Sequence, residues 1–261
     1  MQSKLREARI EERSMVRIPA EKLDQLINLV GELVIAGAGV HSLAQAHKVP
    51  ALIKSTLKVN SLVEEVRNGA LSMRMVQIGE TFSRFRRVVR DVCSDLGKQV
   101  ELELRGTESE LDKSVVDKIV DPLMHIVRNA LDHGIERPEE RIAAGKPPSG
   151  RLVMSAYHDS GQVVIQITDD GRGLARERIL AKAIERGIVA PGAALADKEI
   201  LALIFAPGFS TAESVTSLSG RGVGMDVVRR NIESLRGSVE LQSEPGKGTT
   251  VEIRLPLTLA I

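Results

Sequence analysis

The sequence predicts an α+β protein built from an antiparallel two-helix hairpin, which forms a four-helix bundle by dimerisation, followed by an α/β sandwich. Two observations support this. Apolar residues recur at steps of three and four between Pro19 and Val76, and helix-like and strand-like segments are mixed through the rest of the 261-residue chain. With 43% hydrophobic residues, such a chain can bury a core in one large or two smaller domains.

The hairpin is predicted from two apolar seams that the Val49-Pro50 step interrupts. Because a lone helix pair is marginal in water, we expect a second copy to cover the apolar stripe. The alternative is that the stripe packs on the rest of the same chain. The seam residues are Leu23, Leu26, Val30, Leu33, Gly37, Val40 and Ala44 in the first helix, and Leu52, Ser55, Val59, Leu62, Val66, Gly69, Met73 and Val76 in the second.

The segments after the hairpin alternate between helix and strand patterns. A third helix is predicted over 79–96, closed by Gly97, which readily takes the left-handed cap conformation. The remaining predictions are a strand over 100–105, a helix from 111 or 112 to about 133 with Pro122 inside it, strands over 151–157 and 162–168, helices over 176–186, 197–205 and 223–236, and strands over 238–243 and 249–255.

Composition excludes several classes of protein. A net charge of +1 does not favour a sequence-independent grip on nucleic acid or on an anionic membrane. Cys93 is the only cysteine, which excludes an intrachain disulfide and favours a reducing compartment. The apolar run 33–40 is far shorter than the roughly 20 residues that span a bilayer. We therefore expect a cytoplasmic protein with no direct membrane insertion.

The run Thr168-Asp169-Asp170-Gly171-Arg172-Gly173 places carboxylates at the end of a strand and glycines just beyond them. A carboxylate at a strand end is a fixed acceptor for the exocyclic amine of adenine, and Asp169 is the predicted acceptor. Gly171 and Gly173 would let the backbone approach the base where a Cβ would collide. The alternative is an ordinary turn after a strand.

In the upstream helix, His125, Asn129 and either Asp132 or His133 are spaced to share one face. The amide oxygen of Asn129 is a hard ligand that suits Mg²⁺ bridging phosphate oxygens. His125, one turn earlier, would orient or accept a proton near the terminal phosphate, or add to the metal shell. A histidine satisfied within the core is the alternative for His125 alone.

Gly220, Gly222 and Gly224 lead directly into a predicted helix, whose free N–H groups and dipole attract phosphate. The spacing is not that of the lysine-bearing phosphate loop. Together with the preceding glycine- and serine-containing stretch, the run is interpreted as a lid over a nucleotide, although a mobile loop is the alternative. On the final strand, the hydroxyl of Thr249 or Thr250 is expected to reach the adenine directly or through water.

With these runs in place, the chain resembles the CheA family of chemotaxis histidine kinases, over their dimerisation and ATP-binding domains and nearly everything after Met15. The most specific runs are 206–211, 219–228 and the histidine that heads the Asn129 helix. Ordinary sensor kinases usually have an acidic residue where this chain has His125.

The resemblance implies a fold of the histidine kinase/gyrase ATPase type, binding of ATP or ADP with Mg²⁺, and phosphorylation of a histidine on a separate phosphotransfer domain. One subunit of a homodimer would serve the other, and phosphate would pass to response regulators. It also implies that His125 and His133 lie by the phosphates as catalytic residues. The nucleotide-binding residues it implies are Asn129, Asp132, Asp169, Gly171, Gly173, Lys182, Ser210, Thr211, Gly220, Gly222, Val223, Gly224, Met225 and Thr249, with Asn129 and His125 at the metal.

The predicted domains are a tail or linker over 1–18, the helical hairpin over 19–76 and the ATP-binding domain over 77–261. Relatives of this family carry a phosphoacceptor domain before the hairpin and an adaptor-binding domain after the ATP fold, so the chain is a fragment or a shortened member acting in trans. Contacts with chemoreceptors and a coupling adaptor would need that further domain. Neither His41 nor His47 is in the usual phosphoacceptor setting.

Three alternatives remain at this point. An orthodox sensor kinase would phosphorylate itself at His41 or His47. A non-catalytic scaffold for chemotaxis arrays would use nucleotide only to regulate shape. Gyrase-type ATPases share the nucleotide fold, although the paired helices before it do not fit them.

Overall fold

A computed structural model describes residues 18–209 and 224–257 of the chain. The chain divides into two compact units, with the boundary between Met75 and Val76. The first unit is a hairpin of helices α1, Ala20–Ala46, and α2, Pro50–Ser72. Pro50 occupies the first turn of α2, where its fixed φ suits a helix start and its missing N–H costs nothing.

Each helix of the hairpin has two apolar stripes, whereas the sequence pattern predicted one seam for each. Leu23, Ile27, Val30 and Ala44 of α1 are buried, and Gly37 lies so close to Asn60 of α2 that a Cβ would overlap its amide. The seam predicted for α2 is mostly exposed in the single chain, as expected for a stripe that a second copy covers. The large apolar side chains of this exposed stripe are Leu52, Val59, Leu62, Val66 and Met73 of α2, and Leu26, Leu29, Leu33, Val40 and Leu43 of α1.

The second stripe was not separated from the first in the sequence for a simple geometric reason. Two stripes offset by one residue both follow steps of three and four, so periodicity alone cannot assign one to the helix partner and the other to a different surface. His41 faces α2, where its Nδ1 lies 2.8 Å from Oγ1 of Thr56. Its Nε2 lies 3.1 Å from Nε2 of Gln45, one turn further along α1 itself. This histidine therefore belongs to the packing of the hairpin.

Helix α1 is also long and apolar enough, over Glu21–Ala46, to cross a membrane by length and composition alone, with a mean hydropathy of 1.6. The expectation of no membrane insertion rested on the uninterrupted apolar run 33–40 alone, which is shorter than this helix. The high hydropathy has a structural source in the two apolar stripes. A helix that is packed on two sides needs an apolar stripe on each side.

The second unit is an α/β sandwich. Its helices are α3 (Gly79–Leu96), α4 (Lys113–Asn129), α5 (Pro138–Ala143), α6 (Arg176–Glu185), α7 (Asp197–Ala202) and α8 (Met225–Ser234), with one 3₁₀ turn at Leu203–Phe205. Its strands are β1 (Met75–Gln77), β2 (Val100–Arg105), β3 (Glu110–Asp112), β4 (Gly150–Asp159), β5 (Gln162–Asp169), β6 (Ser238–Glu244) and β7 (Gly248–Pro256).

Five of the strands form one sheet in the order β2-β4-β5-β7-β6, in which only the β2–β4 pair is parallel. The β4–β5 hairpin turns at Ser160 and Gly161, both at positive φ, as a two-residue hairpin turn requires. Ile165 and Ile167 of β5 face a core that also holds Phe82 of α3 and Leu123 of α4. The predicted order of a helical hairpin followed by an α/β sandwich is confirmed.

Three local features differ from the sequence prediction. Asp112 caps α4 and does not belong to it, since its Oδ1 accepts from the N–H of Ser114 at 2.7 Å. Helix α4 accommodates Pro122 and continues into one π-helical turn, Ala130–Gly134. The short helix α5 and the small β1–β3 sheet had no clear periodicity to predict them, because each is only three to six residues long.

Candidate functional site

Asp169 occupies a core position on the central part of the sheet. It follows Ile165 and Ile167 at steps of two along β5, so its side chain lies on the same buried face, and only 6% of the residue is exposed. Its neighbours across the sheet are Leu152 on β4 and Thr249 on β7. A carboxylate therefore stands where the fold would ordinarily place an apolar side chain.

Backbone approaches this carboxylate from several sides. The N–H of Gly171 donates to Oδ1 of Asp169 at 2.9 Å. A Cβ on Gly134 would lie 3.2 Å from Oδ1 of Asp169, and a Cβ on Gly171 would overlap the carbonyl of Gly134. Gly173, at φ +67°, passes equally close to the carbonyl of Glu244. Glycine at these positions is a packing requirement, and it leaves the carboxylate with room for a planar ligand.

Burial raises the pKa of Asp169 from 3.8 to about 6. Desolvation is the largest cause, and the nearby carboxylates of Asp170 and Glu136 add to it, while backbone hydrogen bonds from Gly171 and Thr249 act in the opposite direction. Asp169 is thus mostly ionised at neutral pH, although it is held in an unfavourable environment. A buried acceptor of this kind gains free energy when a ligand brings a donor to it.

A cavity of about 290 Å³ opens beside Asp169. Its walls come from α4, the π-helical turn, the two central strands and the segments before and after the undescribed residues 210–223. Most of the lining is apolar, which suits a flat aromatic base with a few fixed polar groups. The lining residues are Ile126, Asn129, Ala130, His133, Gly134, Ile167, Asp169, Gly173, Leu174, Ile179, Ile204, Phe209, Gly224, Met225, Leu241, Thr249 and Val251.

One face of α4 and its π-helical extension supplies a polar wall. Asn129 and His133 both line the cavity, and Nδ2 of Asn129 donates to Sδ of Met225 at 3.0 Å. Asp132 is not on the wall, and its carbonyl accepts from Nζ of Lys98 at 2.9 Å. Since the sequence left Asp132 and His133 as alternatives, the π-helical turn is the element that decides which of them faces the cavity.

His125 lies one turn before Asn129, half-buried, and does not line the cavity. Burial lowers the pKa of its imidazole, and the cation of Arg128 lowers it further, against a smaller opposing effect of Asp121. The ring is therefore neutral at physiological pH, the form that can ligate a metal or accept a proton.

The other predicted residues divide into three groups. Thr249, Gly173, Gly224 and Met225 line the cavity with Asn129, His133 and Asp169. Gly171 supports Asp169 from behind, while Lys182 of α6 is half-buried but off the cavity wall. The rest of the predicted set, Ser210, Thr211, Gly220, Gly222 and Val223, falls outside the described residues.

The apolar lining was missed by the sequence analysis. Two parts of it could have been found, since Ile167 and Val251 lie two residues from Asp169 and Thr249 on the same strand faces. Ile126 likewise precedes Asn129 by three on α4. Ile204 and Phe209 carry no such signal, because only the tertiary fold brings their segment to the strands.

Comparison with known proteins agrees with this geometry. The family described as histidine kinase-, DNA gyrase B- and HSP90-like ATPase matches residues 118–259. The homodimeric domain of signal-transducing histidine kinases matches residues 13–92. These two matches cover the α/β sandwich from within α4 onward and the whole helical hairpin.

Similar full-length relatives are chemotaxis proteins CheA. The chain is 53% identical to that of Salmonella typhimurium over 97% of its own length and 38% of the relative. The corresponding values are 50%, 97% and 39% for Klebsiella aerogenes, and 45%, 94% and 37% for Bacillus subtilis. The chain thus spans less than two fifths of the length of these curated relatives.

The matched ATPase domain binds ATP, and the matched homodimeric domain implies a homodimer. The chain is about half identical to the CheA relatives over nearly its whole length. The chain therefore belongs to the histidine kinase-, DNA gyrase B- and HSP90-like ATPase family, and over nearly its whole length it is similar to part of the CheA chemotaxis proteins.

Proposed function

We propose that this chain transfers the γ-phosphate of ATP to a histidine on a separate phosphotransfer domain, with one subunit of the homodimer serving the phosphotransfer domain of the other. Phosphate then passes to response regulators. The observation that carries this proposal is the pairing, in one cavity, of a buried carboxylate suited to adenine with an asparagine suited to a phosphate-bound metal ion.

At the adenine end, Asp169 accepts a hydrogen bond from the exocyclic amine. The carboxylate is 6% exposed and lies among apolar walls, so it has few other donors to satisfy it. Thr249 stands opposite Asp169 on β7, where its hydroxyl reaches the base directly or through water. Ile167, Leu241 and Val251 supply the apolar faces between which a purine fits.

At the phosphate end, the side-chain oxygen of Asn129 is a ligand for Mg²⁺. Among residues 18–209 and 224–257, no group of three or more His, Cys, Asp and Glu side chains is arranged to hold a metal. Mg²⁺ commonly keeps several waters and takes its other oxygens from the substrate phosphates. The ion neutralises phosphate charge, while His133 and the N–H groups leading into α8 contact the phosphates.

His125, neutral because its pKa is lowered, either orients the terminal phosphate or accepts a proton near it. Since it lies off the cavity wall, its effect on the reaction is exerted from the rim of the site. Gly224, which lines the cavity, belongs to a lid over the nucleotide, and Lys182 is a further contact for phosphate.

The hairpin forms the dimer. The exposed apolar stripe of α1 and α2 runs along both helices, so a second copy buries it in a four-helix bundle. Chemoreceptors and a coupling adaptor act through a regulatory domain, and the kinase works in the cytoplasm without inserting into the membrane. The high hydropathy of α1 is then the signature of a helix covered on two sides.

One experiment separates this function from that of an orthodox sensor kinase. The chain is incubated with γ-labelled ATP and Mg²⁺, with and without a separate histidine phosphotransfer domain, and acid-labile phosphate is mapped. We expect label on the histidine of the added domain and none on the chain alone. Label on His41 or His47 would establish self-phosphorylation of the dimer helix, which the contact of half-buried His41 with Thr56 opposes.

A further inference from the structure

A cluster of four charged side chains lies directly behind the adenine-reading turn. Arg141 of α5, with 0% of its surface exposed, pairs with Oδ2 of Asp170 at 2.8 Å and with Oε2 of Glu136 at 3.2 Å. Lys146, in the segment between α5 and β4, pairs with Oε1 of Glu136 at 3.0 Å. Two cations face two carboxylates, so the cluster is neutral as a whole.

Lys146 makes two further contacts that set it apart. Its Nζ donates to the carbonyl of Asp170 at 2.9 Å and to the carbonyl of Gly171 at 2.7 Å. These carbonyls belong to two consecutive peptide groups, and the N–H at the other end of each group is also engaged. The N–H of Gly171 donates to Asp169, and the N–H of Arg172 donates to Gly134 at 2.9 Å.

The Nζ of Lys146 thus holds the carbonyl oxygens of two peptide groups. The N–H of the first group fixes the carboxylate of Asp169, and the N–H of the second binds the carbonyl of Gly134, which lines the cavity. A peptide group is rigid, so fixing its oxygen fixes the direction of its N–H. A cation at the carbonyl ends also strengthens the two hydrogen bonds at the opposite ends. Lys146 does not line the cavity itself.

We infer that Lys146 is a positioning residue for adenine recognition, which sets the orientation of the Asp169 carboxylate through the Asp170–Gly171 and Gly171–Arg172 peptide groups. This inference rests on the proposed reading of adenine by Asp169. It assigns a function to the 136–150 segment, which the nucleotide site does not otherwise use. The cluster acts on the choice of base, because Asp169 is the group that distinguishes an amine donor from an oxygen acceptor.

The test is the preference of the chain for ADP over inosine diphosphate, whose base carries an oxygen where adenine carries the amine. Lys146→Met is compared with wild type, with Lys146→Arg, which keeps the cation, and with Lys113→Met as a control at an exposed ion pair. We expect Lys146→Met to weaken ADP binding by roughly tenfold and to reduce the preference by a similar factor, since small displacements of a recognition group are costly. Lys146→Arg should restore most of the preference.

The preference for ADP over inosine diphosphate distinguishes a positioning role of Lys146 from a purely stabilising one. A merely structural role would lower the melting temperature while the ratio of the two dissociation constants stayed at the wild-type value, and that result would overturn the inference. Should Lys146→Met not fold, Lys146→Gln, which keeps donors without the charge, is expected to show a reduced ratio, and an unchanged ratio there would be equally decisive against it. Asp169→Asn should lose the preference outright.

If the positioning role of Lys146 is wrong, the variants show one pattern of nucleotide preference, and if adenine binding by Asp169 is wrong, they show another. If Asp169→Asn loses the preference but the Lys146 variants keep it, adenine reading by Asp169 stands and the positioning role falls. If the wild-type chain binds ADP and inosine diphosphate equally, adenine reading is itself overturned, and the positioning role with it.

Discussion

The backbone N–H of Gly171 donates a hydrogen bond to Oδ1 of Asp169, two residues earlier, at 2.9 Å. This bond turns the chain immediately after β5 and at the same time fixes the carboxylate that faces the cavity. Gly171 must approach the carbonyl of Gly134 to make it. The carboxylate proposed to bind adenine, the turn that orients it and Gly134, which lines the cavity, are therefore one structural unit.

The close approach predicts a strong effect of Gly171→Ala. A Cβ there would overlap the carbonyl of Gly134 and lie 2.8 Å from Oδ1 of Asp169, so the turn must move. We expect ADP binding to fall at least tenfold and the free energy of unfolding to drop by about 1 to 3 kcal/mol, as for other overpacked sites. Isothermal titration and urea unfolding measure the two effects.

Gly187→Ala is the control, because Gly187 has open space around it, so that its φ of +70° adds backbone strain without steric overlap. It should cost only the backbone strain, about 1 kcal/mol, and leave ADP binding unchanged. Equal losses of ADP affinity in the two variants would contradict the conclusion that Gly171 holds Asp169 in place at the nucleotide cavity.

The raised pKa of Asp169 predicts a pH-dependent stability. Between 3.8 and about 6, the folded state keeps a proton that the unfolded state has released, so the free energy of unfolding falls as pH rises through this window. Above this pH window, the ionised carboxylate of Asp169 lowers the free energy of unfolding by roughly 3 kcal/mol. Asp169→Asn should therefore be more stable than wild type at pH 8, by about 1 to 3 kcal/mol, and lose that advantage near pH 4.

Urea unfolding of both proteins across this pH range provides the measurement, with the exposed Asp117→Asn as a control. Because ionised Asp169 is the better acceptor, ADP affinity of the wild type should rise with pH through the same window. Identical pH profiles for wild type and Asp169→Asn would show that this carboxylate is not the group concerned.

Arg141 is predicted to dominate the stability of the segment behind the site. Arg141→Met leaves the carboxylates of Glu136 and Asp170 without their shared buried partner, and removing one side of such a pair typically costs about 3 to 5 kcal/mol. Arg105→Met, which breaks an exposed pair with Glu103, should have a much smaller effect, because solvent screens that pair. Similar losses in the two variants, compared by urea unfolding, would rule out a buried ionic role.

The exposed stripe of the hairpin predicts where the dimer can be broken. Leu62 of α2 is 52% exposed in the single chain, and a glutamate there would place a charge in the centre of the bundle. Each of the two copies loses the burial of one leucine side chain, worth about 1.5 to 3 kcal/mol. The dimer dissociation constant should therefore rise roughly 100-fold or more. Ser61→Glu, at a neighbouring exposed polar position, is the control.

Analytical ultracentrifugation over a range of concentrations distinguishes the two variants. We expect Leu62→Glu to be monomeric at concentrations where wild type and Ser61→Glu are dimers. A Leu62→Glu protein that stays dimeric would mean that this stripe is covered by something other than a second copy.

The sequence predicted the parts of the site that are local. Asp169, Gly171 and Gly173 lie within one turn, and Asn129 and His133 share one helical face, so spacing alone could place them. Periodicity could not decide between Asp132 and His133, because a π-helical turn interrupts α4 there. Nor could it find Arg141, whose partner Asp170 lies 29 residues away, or distinguish the two stripes of the hairpin.

The most direct test of the account is phosphate transfer by site variants whose fold and dimer are intact. Wild type, Asn129→Asp and Asp169→Asn are each given γ-labelled ATP, Mg²⁺ and a separate histidine phosphotransfer domain, and the initial rate of label reaching its histidine is measured. We predict transfer by the wild type and a loss of roughly 100-fold or more in both variants, since each removes a group placed at the nucleotide. Tight ATP binding by the wild type with no transfer to that domain would contradict the proposed kinase function and favour a regulatory scaffold.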